Sequence, residues 1–387
     1  MRCVARPAIP PSPSSVAVIG GGVIGLAIAW RLAQRGVPVT VFERGQAGRG
    51  ASWAAAGMLA AGVETEPGEA ALSALNRASL ALWPDFAAAL ETASGLPVGL
   101  RQEGTLMLAL NRDDLASLRF TFEFQRDHGI PLEWLTPRQA LAREPRLTPS
   151  LAGAVFSAAD HQADNRLLGA ALAAALREAG GVLREHCAVT GLDLTGGRVT
   201  GVIAGEACVK AETVVLAAGA WSAELPGMPQ AARPPVRPVK GQMLALSMDP
   251  AAPLLRHVVW APHAYLVPRA DGRLIVGATV EEKGFDPHLT AGGLLSLLDG
   301  AWRALPGIED LPIAETWVGF RPGSRDDAPL LGPGTLPGLV YATGHHRNGI
   351  LLTPITATLV ADHILSGRIA PEMAPFAPSR FAPKDPA

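Results

Sequence analysis

Cysteine is scarce in this chain. Cys3, Cys187 and Cys208 show no CxxC spacing and no even-numbered framework, so neither a disulfide scaffold nor a zinc site is indicated, and a reducing cytoplasm is the expected setting. Basic blocks are missing too: 33 Lys and Arg stand against 35 Asp and Glu, a net charge of −2. No stripe of charge could track a phosphate backbone, which argues against nucleic acid as a partner. No stretch reaches the roughly 20 apolar residues that span a bilayer. The run Val16 to Trp30 follows Arg2 and Arg6 in the manner of a secretory signal, but Gly20, Gly21, Gly22 and Gly25 interrupt it, and Pro10, Pro11 and Pro13 separate it from the basic tip. Asp127-His128, Asp160-His161 and His345-His346 have no HExxH spacing and no third ligand at a metal-binding interval, and a GxSxG nucleophile elbow is absent. No metal is therefore expected, and the chemistry has to come from elsewhere.

Of the 387 residues, 48% are hydrophobic and 18% charged, the balance of a well-packed globule large enough for two or three domains. Met1 to Ser14 is Pro-rich with little to bury and reads as a disordered tail. Ser15 to Ile19 predicts a strand, Val23 to Gln34 a helix apolar almost all round, and Val37 to Phe42 a second strand: a βαβ unit. A loop of small residues, Gly48 to Gly62, precedes a helix from Glu69 to about Ala93. Asn111 is placed to cap a helix running to His128. Another helix covers Arg166 to Ala179, and strands follow at Val182 to Glu185, Val189 to Leu194, Val199 to Ala204 and Thr213 to Ala217. Beyond the Pro-rich stretch Pro226 to Pro238, strands are expected at Gln242 to Ser247, His257 to Trp260, Ala264 to Pro268 and Arg273 to Ala278. A helix covers about Gly292 to Leu305, and a last strand, Leu339 to Ala342, leads into a helix from Ile350 to Leu365. Strand-then-helix units at both ends around a more antiparallel middle imply a nucleotide domain whose pieces are scattered along the chain.

The strongest local signal is Gly20-x-Gly22-x-x-Gly25 between the first strand and the first helix. Gly20 permits the tight turn, Gly22 lets a pyrophosphate approach the helix N-terminus, and Gly25 lets helix and strand pack closely. Glu43, eighteen residues past Gly25, ends the second strand where a carboxylate is expected to take a ribose hydroxyl. An acid there argues against a 2′-phosphate, which leaves FAD or NAD.

Five further segments narrow the choice: Gly50-Ala-Ser-Trp-Ala-Ala-Ala-Gly-Met-Leu59, Val239-Lys-Gly-Gln242, Tyr265-Leu-Val-Pro-Arg269, Gly319-Phe-Arg-Pro-Gly323 and Gly344-His-His-Arg-Asn-Gly-Ile-Leu-Leu352. In this order they resemble the D-amino-acid oxidase and glycine oxidase family of FAD-dependent amine oxidoreductases, most closely its branch in thiamine biosynthesis. The resemblance runs from about Ser15 to Ser366. It implies an α/β protein with a Rossmann-like FAD-binding domain, discontinuous in sequence (15–87, 161–231 and 319–380), and an antiparallel-sheet α+β substrate-binding domain (88–160 and 232–318). It implies contacts to non-covalent FAD from Gly20, Gly22, Val23, Ile24, Gly25, Glu43, Arg44, Ala51, Ser52, Ala56, Gly57, Met58 and Val189, and from the run His345, His346, Arg347, Asn348, Gly349, Ile350 and Leu351. Attachment through a cysteine late in the chain, as in monomeric sarcosine oxidases, has no candidate here, since all three cysteines precede position 210.

For the substrate, the resemblance points to Arg321 as the carboxylate anchor, with Arg347 and Tyr265 beside it. Without it, composition favours Arg321 as a surface arginine in a charged loop, and Tyr265 reads as an amphipathic strand residue. The implied activity is oxidative deamination of glycine, sarcosine and small D-amino acids to the imine or oxo acid, with ammonia and hydrogen peroxide as products and no catalytic side chain required beyond the flavin. Its place is the supply of glycine imine for the thiazole of thiamine. The expected partners are a small amino acid and dioxygen, in a cytoplasmic homo-oligomer that binds neither membrane nor nucleic acid. A sarcosine or D-amino-acid oxidase or dehydrogenase on the same fold is the near alternative, and a non-catalytic FAD or NAD sensor the remote one.

Overall fold

The computed structural model describes residues 15–381; the tail expected at 1–14 lies outside the described residues. Four short apolar segments, Val16–Ile19, Val39–Phe42, Val182–Arg184 and Thr213–Leu216, join Leu339–Thr343 as five parallel strands, and Leu330–Pro333 adds an antiparallel edge. The spatial order is 330–333, 339–343, 213–216, 16–19, 39–42, 182–184, so distant parts of the sequence build one Rossmann-like sheet. The first helix, Val23–Ala33, buries every residue except Arg31. It lies among the helices Ala70–Ser94, Asn165–Glu178 and Thr353–Ser366, which is why its apolar residues run all round rather than along one stripe. Trp30, Trp83 and Phe86 meet edge to face there.

The second large sheet has eight strands in the order 313–323, 237–247, 273–277, 264–268, 258–261, 105–109, 153–157, 133–135. It is antiparallel except where Val258–Ala261 runs parallel to Thr105–Ala109, and the helix Ala291–Ala304 packs on it. A three-stranded antiparallel sheet, 189–195, 198–204 and 207–210, flanks the nucleotide side.

Caps follow the sequence closely. Asn111 Oδ1 accepts the N–H groups of Asp113 and Asp114, both at 2.9 Å, at the start of Arg112–Asp127. The last helix begins at Thr353, three residues after the expected Ile350, because a tight turn at His346–Asn348 intervenes and Pro354 sits in the first helical turn. Strand Ile313–Gly323 was not expected, since Gly319, Arg321, Pro322 and Gly323 read as loop residues. It pairs along its length with Arg237–Ser247, a strand that itself starts inside the expected Pro-rich stretch. Pro238 and Pro322 stand opposite each other in the register, so the residues lacking an N–H fall together at one point of the ladder. Strand Glu133–Leu135 and helix Pro137–Arg143, begun by a Thr136/Gln139 capping box, were also unanticipated. Among the described residues no helix is long and apolar enough to cross a membrane.

Candidate active site

A cavity of about 990 Å³ runs from the glycine turn to the eight-stranded sheet, at the upper end of the roughly 300–1,000 Å³ usual for ligand pockets. At the turn, a Cβ on Gly25 would lie 2.0 Å from the Gly20 carbonyl oxygen, which presses the first helix onto its strand. At Gly22 a Cβ would meet only Ser52 Oγ, at 3.2 Å, so that position opens toward the cavity. Ser52 Oγ accepts the Val23 N–H at 3.0 Å. Glu43 accepts the Gly21 N–H at 2.8 Å and the Gly45 N–H at 2.9 Å; the carboxylate therefore braces the turn as well as facing the cavity, and each oxygen keeps a second lone pair. The Arg44 guanidinium lies 3.9 Å from the ring centroid of Trp221, against which Phe285 stacks at 5.0 Å. Trp221 lines the cavity but carried no signal in the sequence.

The middle of the cavity is walled by Ala51, Ser52, Ala54, Ala56, Gly57 and Met58. Gly57 has φ +69°, and a Cβ there would fall 2.0 Å from the Ala163 carbonyl oxygen. The buried Arg269 holds this wall, donating to the carbonyl oxygens of Ala56 (2.6 Å) and Ala163 (3.0 Å), to Gln162 Oε1 (2.9 Å) and to Asn165 Oδ1 (2.9 Å). From the other side, Trp317 Nε1 donates to the Ala54 carbonyl at 3.0 Å, which docks the strand carrying Arg321 against the same wall.

Tyr265, Arg321 and Arg347 converge on the far end. Two glycines make room for the first two: a Cβ on Gly241 would lie 2.6 Å from Arg321 Nη1, and one on Gly277 would lie 2.6 Å from Tyr265 Oη. Arg321 donates to the Thr279 carbonyl at 3.1 Å, and among the described residues it forms no ion pair. Tyr265 Oη has a weak partner in Met243 Sδ at 3.9 Å, and burial pushes the phenol up, so it keeps its proton. Arg347 differs from Arg321: Glu64 Oε2 lies 3.2 Å from its Nε, and Glu66 and Glu69 lie 3.4 and 3.2 Å from its Nη2. The Glu64 contact is an ion pair without hydrogen-bond alignment, as Nε has no bonded acceptor. Burial pushes the Glu64 carboxyl up to about 7, against the lowering effect of Arg347. No sequence motif marked Glu64, and the Asp160-His161 pair carried no hint of the role of Asp160: this buried acid accepts the Gly62 and Val63 N–H groups at 2.7 and 2.8 Å and fixes the backbone just before Glu64.

The remaining expected contacts divide simply. Val189, Ile24, His345, His346, Asn348, Gly349 and Ile350 line the cavity; Gly25 and Leu351 lie behind it. The Leu351 carbonyl accepts from Ser79 Oγ at 2.6 Å and Trp83 Nε1 at 2.9 Å, tying the loop to the helix layer. Burial pushes His345 down to about 3 and His346 to about 4, so both rings are neutral at pH 7. A glycine-lined helix N-terminus, a carboxylate at the second strand, a wall of small residues and an elongated cavity together fit an extended dinucleotide such as FAD.

A model of the family described as DAO, FAD dependent oxidoreductase, matches residues 15–363. The chain is 40% identical to a glycine oxidase of Geobacillus kaustophilus (strain HTA426), over 95% of this chain and 97% of that one. It is 39% identical to the bifunctional protein ThiO/ThiG of Trichormus variabilis (strain ATCC 29413 / PCC 7937), and here it spans 95% of itself but 55% of that longer relative. The crystal structure of glycine oxidase from Geobacillus kaustophilus superposes with a TM-score of 0.87 at 39% identity, covering 95% of this chain and 99% of that one.

Proposed function

The chain belongs to the DAO family of FAD-dependent oxidoreductases, and from that premise we propose that it oxidises the amino group of glycine and of small amines such as sarcosine and D-alanine. The observation that carries this reading is the far end of the cavity, where Arg321 presents a guanidinium that forms no ion pair among the described residues, beside the protonated phenol of Tyr265. A planar guanidinium can hold an amino-acid carboxylate by two parallel hydrogen bonds, and Tyr265 Oη, which donates only weakly to Met243 Sδ, can turn to donate to the same group.

Gly20, Gly22, Val23, Glu43, Ser52 and the Ala54–Met58 wall would hold FAD non-covalently. When bound, the flavin supplies a two-electron acceptor that dioxygen re-oxidises with release of hydrogen peroxide. The chain's own task is positional: Arg321 fixes the carboxylate, and the strand behind it fixes the distance between the α-carbon and the Ala54 wall. The substrate amine reacts in its neutral form, and the reading requires no dedicated acid–base side chain. The imine product hydrolyses to an oxo acid and ammonia, or passes on intact as glycine imine for the thiazole of thiamine.

The proposed division is an FAD unit at 15–87, 161–231 and 319–380 and a substrate unit at 88–160 and 232–318. The strands of the Rossmann-like sheet all fall in the first set, those of the eight-stranded sheet in the second, and Ile313–Gly323 crosses the boundary. We place the enzyme in the cytoplasm as a homo-oligomer. Leu295 and Trp302, both exposed on the helix Ala291–Ala304, are available for contacts between copies. A peroxide assay across glycine, sarcosine, N-ethylglycine and panels of D- and L-amino acids tests the function. Glycine and sarcosine should be good substrates, D-alanine and D-proline weaker, bulky D-amino acids poor and L-amino acids inert, with each unaccommodated methylene worth about 10- to 200-fold. A kcat/KM for D-phenylalanine or any L-amino acid above that of glycine would overturn the substrate assignment.

A further inference from the structure

Two guanidiniums face the substrate end of the cavity, and they are not equivalent. Among the described residues Arg321 forms no ion pair, whereas Arg347 is enclosed by Glu64, Glu66 and Glu69. Of these three, Glu64 is the most buried: its side chain is 9% exposed, against 63% for Glu66 and 23% for Glu69. It lines the cavity and lies within electrostatic reach of both arginines. Its origin is fixed, because the buried Asp160 carboxylate clamps the N–H groups of the two residues before it. A carboxyl group held this rigidly beside a second cation, and ionised above about pH 7, is well placed to decide which anions the compartment accepts.

We propose that Glu64 restricts the enzyme to substrates with a single carboxylate, by pairing with Arg347 on the cavity side so that only Arg321 remains to receive an acid group. A glycine bearing a second carboxylate would bring one charge to Arg321 and the other against Glu64. Repulsion and the burial of an unpaired anion then exclude it. Neutralising Glu64 leaves Arg347 Nε, which has no hydrogen-bond acceptor, open to receive a second carboxylate beside the one on Arg321. Glu66 and Glu69 both engage Nη2, which leaves Nε to Glu64; Glu66 also lines the cavity but is 63% exposed.

This inference rests on the reading of Arg321 as the carboxylate anchor, so the test separates the two. The probes are glycolate, the hydroxyl isostere of glycine, and oxydiacetate, the ether isostere of iminodiacetate. Their dissociation constants are measured by perturbation of the flavin spectrum in the holoprotein and in the variants Glu64→Gln and Glu64→Ala. The quantity read is the ratio of oxydiacetate to glycolate affinity. It should rise at least about tenfold in either variant, as expected for one new charge-assisted pair, and iminodiacetate should become a substrate by peroxide release. The double variant Glu64→Gln/Arg347→Met should return the ratio to within about threefold of the original, since the gain is assigned to Arg347. A ratio unchanged in both single variants, or a raised ratio that survives in the double variant, overturns the proposal. A starting holoprotein that binds no glycolate and releases no peroxide from glycine would instead overturn the functional reading beneath it.

Discussion

Replacing Arg321 with alanine removes the guanidinium proposed to anchor the substrate carboxylate, one that forms no ion pair among the described residues. The structure permits an estimate of the consequence. Two charge-assisted hydrogen bonds to a substrate carboxylate, at about 1.5–3 kcal/mol each, amount to about 3–6 kcal/mol, or roughly 10²- to 10⁴-fold in kcat/KM. The cost to the fold should be small by comparison. Among the described residues Arg321 donates to the Thr279 carbonyl at 3.1 Å, interacts with the Tyr265 hydroxyl and forms no ion pair, so about 1–2 kcal/mol of stability is at stake. The flavin spectrum and the unfolding midpoint should stay near those of the unaltered enzyme while glycine turnover collapses. Arg321→Lys, which keeps the charge but not the planar fork, should fall between the two. Arg347→Met should behave oppositely in stability, because it leaves Glu64 buried without its cation. Steady-state peroxide release against glycine concentration, with flavin absorbance and thermal unfolding on the same samples, provides the check. A loss of kcat/KM below about fivefold, or loss of the flavin, would refute the assignment of Arg321.

Three further outcomes follow from the site. FAD should leave with heat or acid, so the supernatant of denatured protein should be yellow and the pellet colourless; flavin remaining in the pellet would mean covalent attachment. Glu43→Lys should weaken FAD binding at least about tenfold in a titration of the apoprotein, since it removes a carboxylate at the nucleotide end and frees the Gly21 and Gly45 N–H groups it now binds; unchanged affinity would remove Glu43 from the cofactor site. Burial pushes Glu64 up to about 7 from 4.5 and Asp160 up to about 6 from 3.8, so the folded chain holds more protons than the unfolded one. The stability these acids contribute is complete below about pH 4 and is lost as pH rises through about 6 to 7. Between pH 5 and pH 8 the stability of Glu64→Gln should therefore gain roughly 1–3 kcal/mol relative to the unaltered protein, and a pH-independent difference in unfolding free energy would contradict this origin.

The parts of the molecule legible in the sequence are those whose signals are local. Gly20, Gly22, Gly25 and Glu43 lie within one βαβ unit, and a turn that needs close approach can be read from its glycines. The Asn111 cap declares itself for the same reason. Strand Ile313–Gly323 was hidden because its two glycines, proline and charged residues resemble a loop, and only its pairing with the equally Pro-interrupted strand Arg237–Ser247 reveals why they are tolerated. Arg269 and Glu64 were hidden by distance. Arg269 holds the Ala56 carbonyl across 213 positions, and the Arg347 side chain meets the Glu64 carbonyl across 283. Such contacts exist only once both sheets are assembled, so no window of sequence contains them. The resemblance supplied Arg321, Arg347 and Tyr265 as a set, but not that Arg347 is neutralised and Arg321 is free.

Glycine oxidation through a bound flavin is tested most directly by titrating the purified holoprotein with glycine in the absence of oxygen while recording the visible spectrum. The flavin absorption should bleach with glycine, stay intact with L-alanine, and return on admission of air together with hydrogen peroxide. A spectrum unchanged at saturating glycine, or bleaching by L-alanine in preference to glycine, would contradict it.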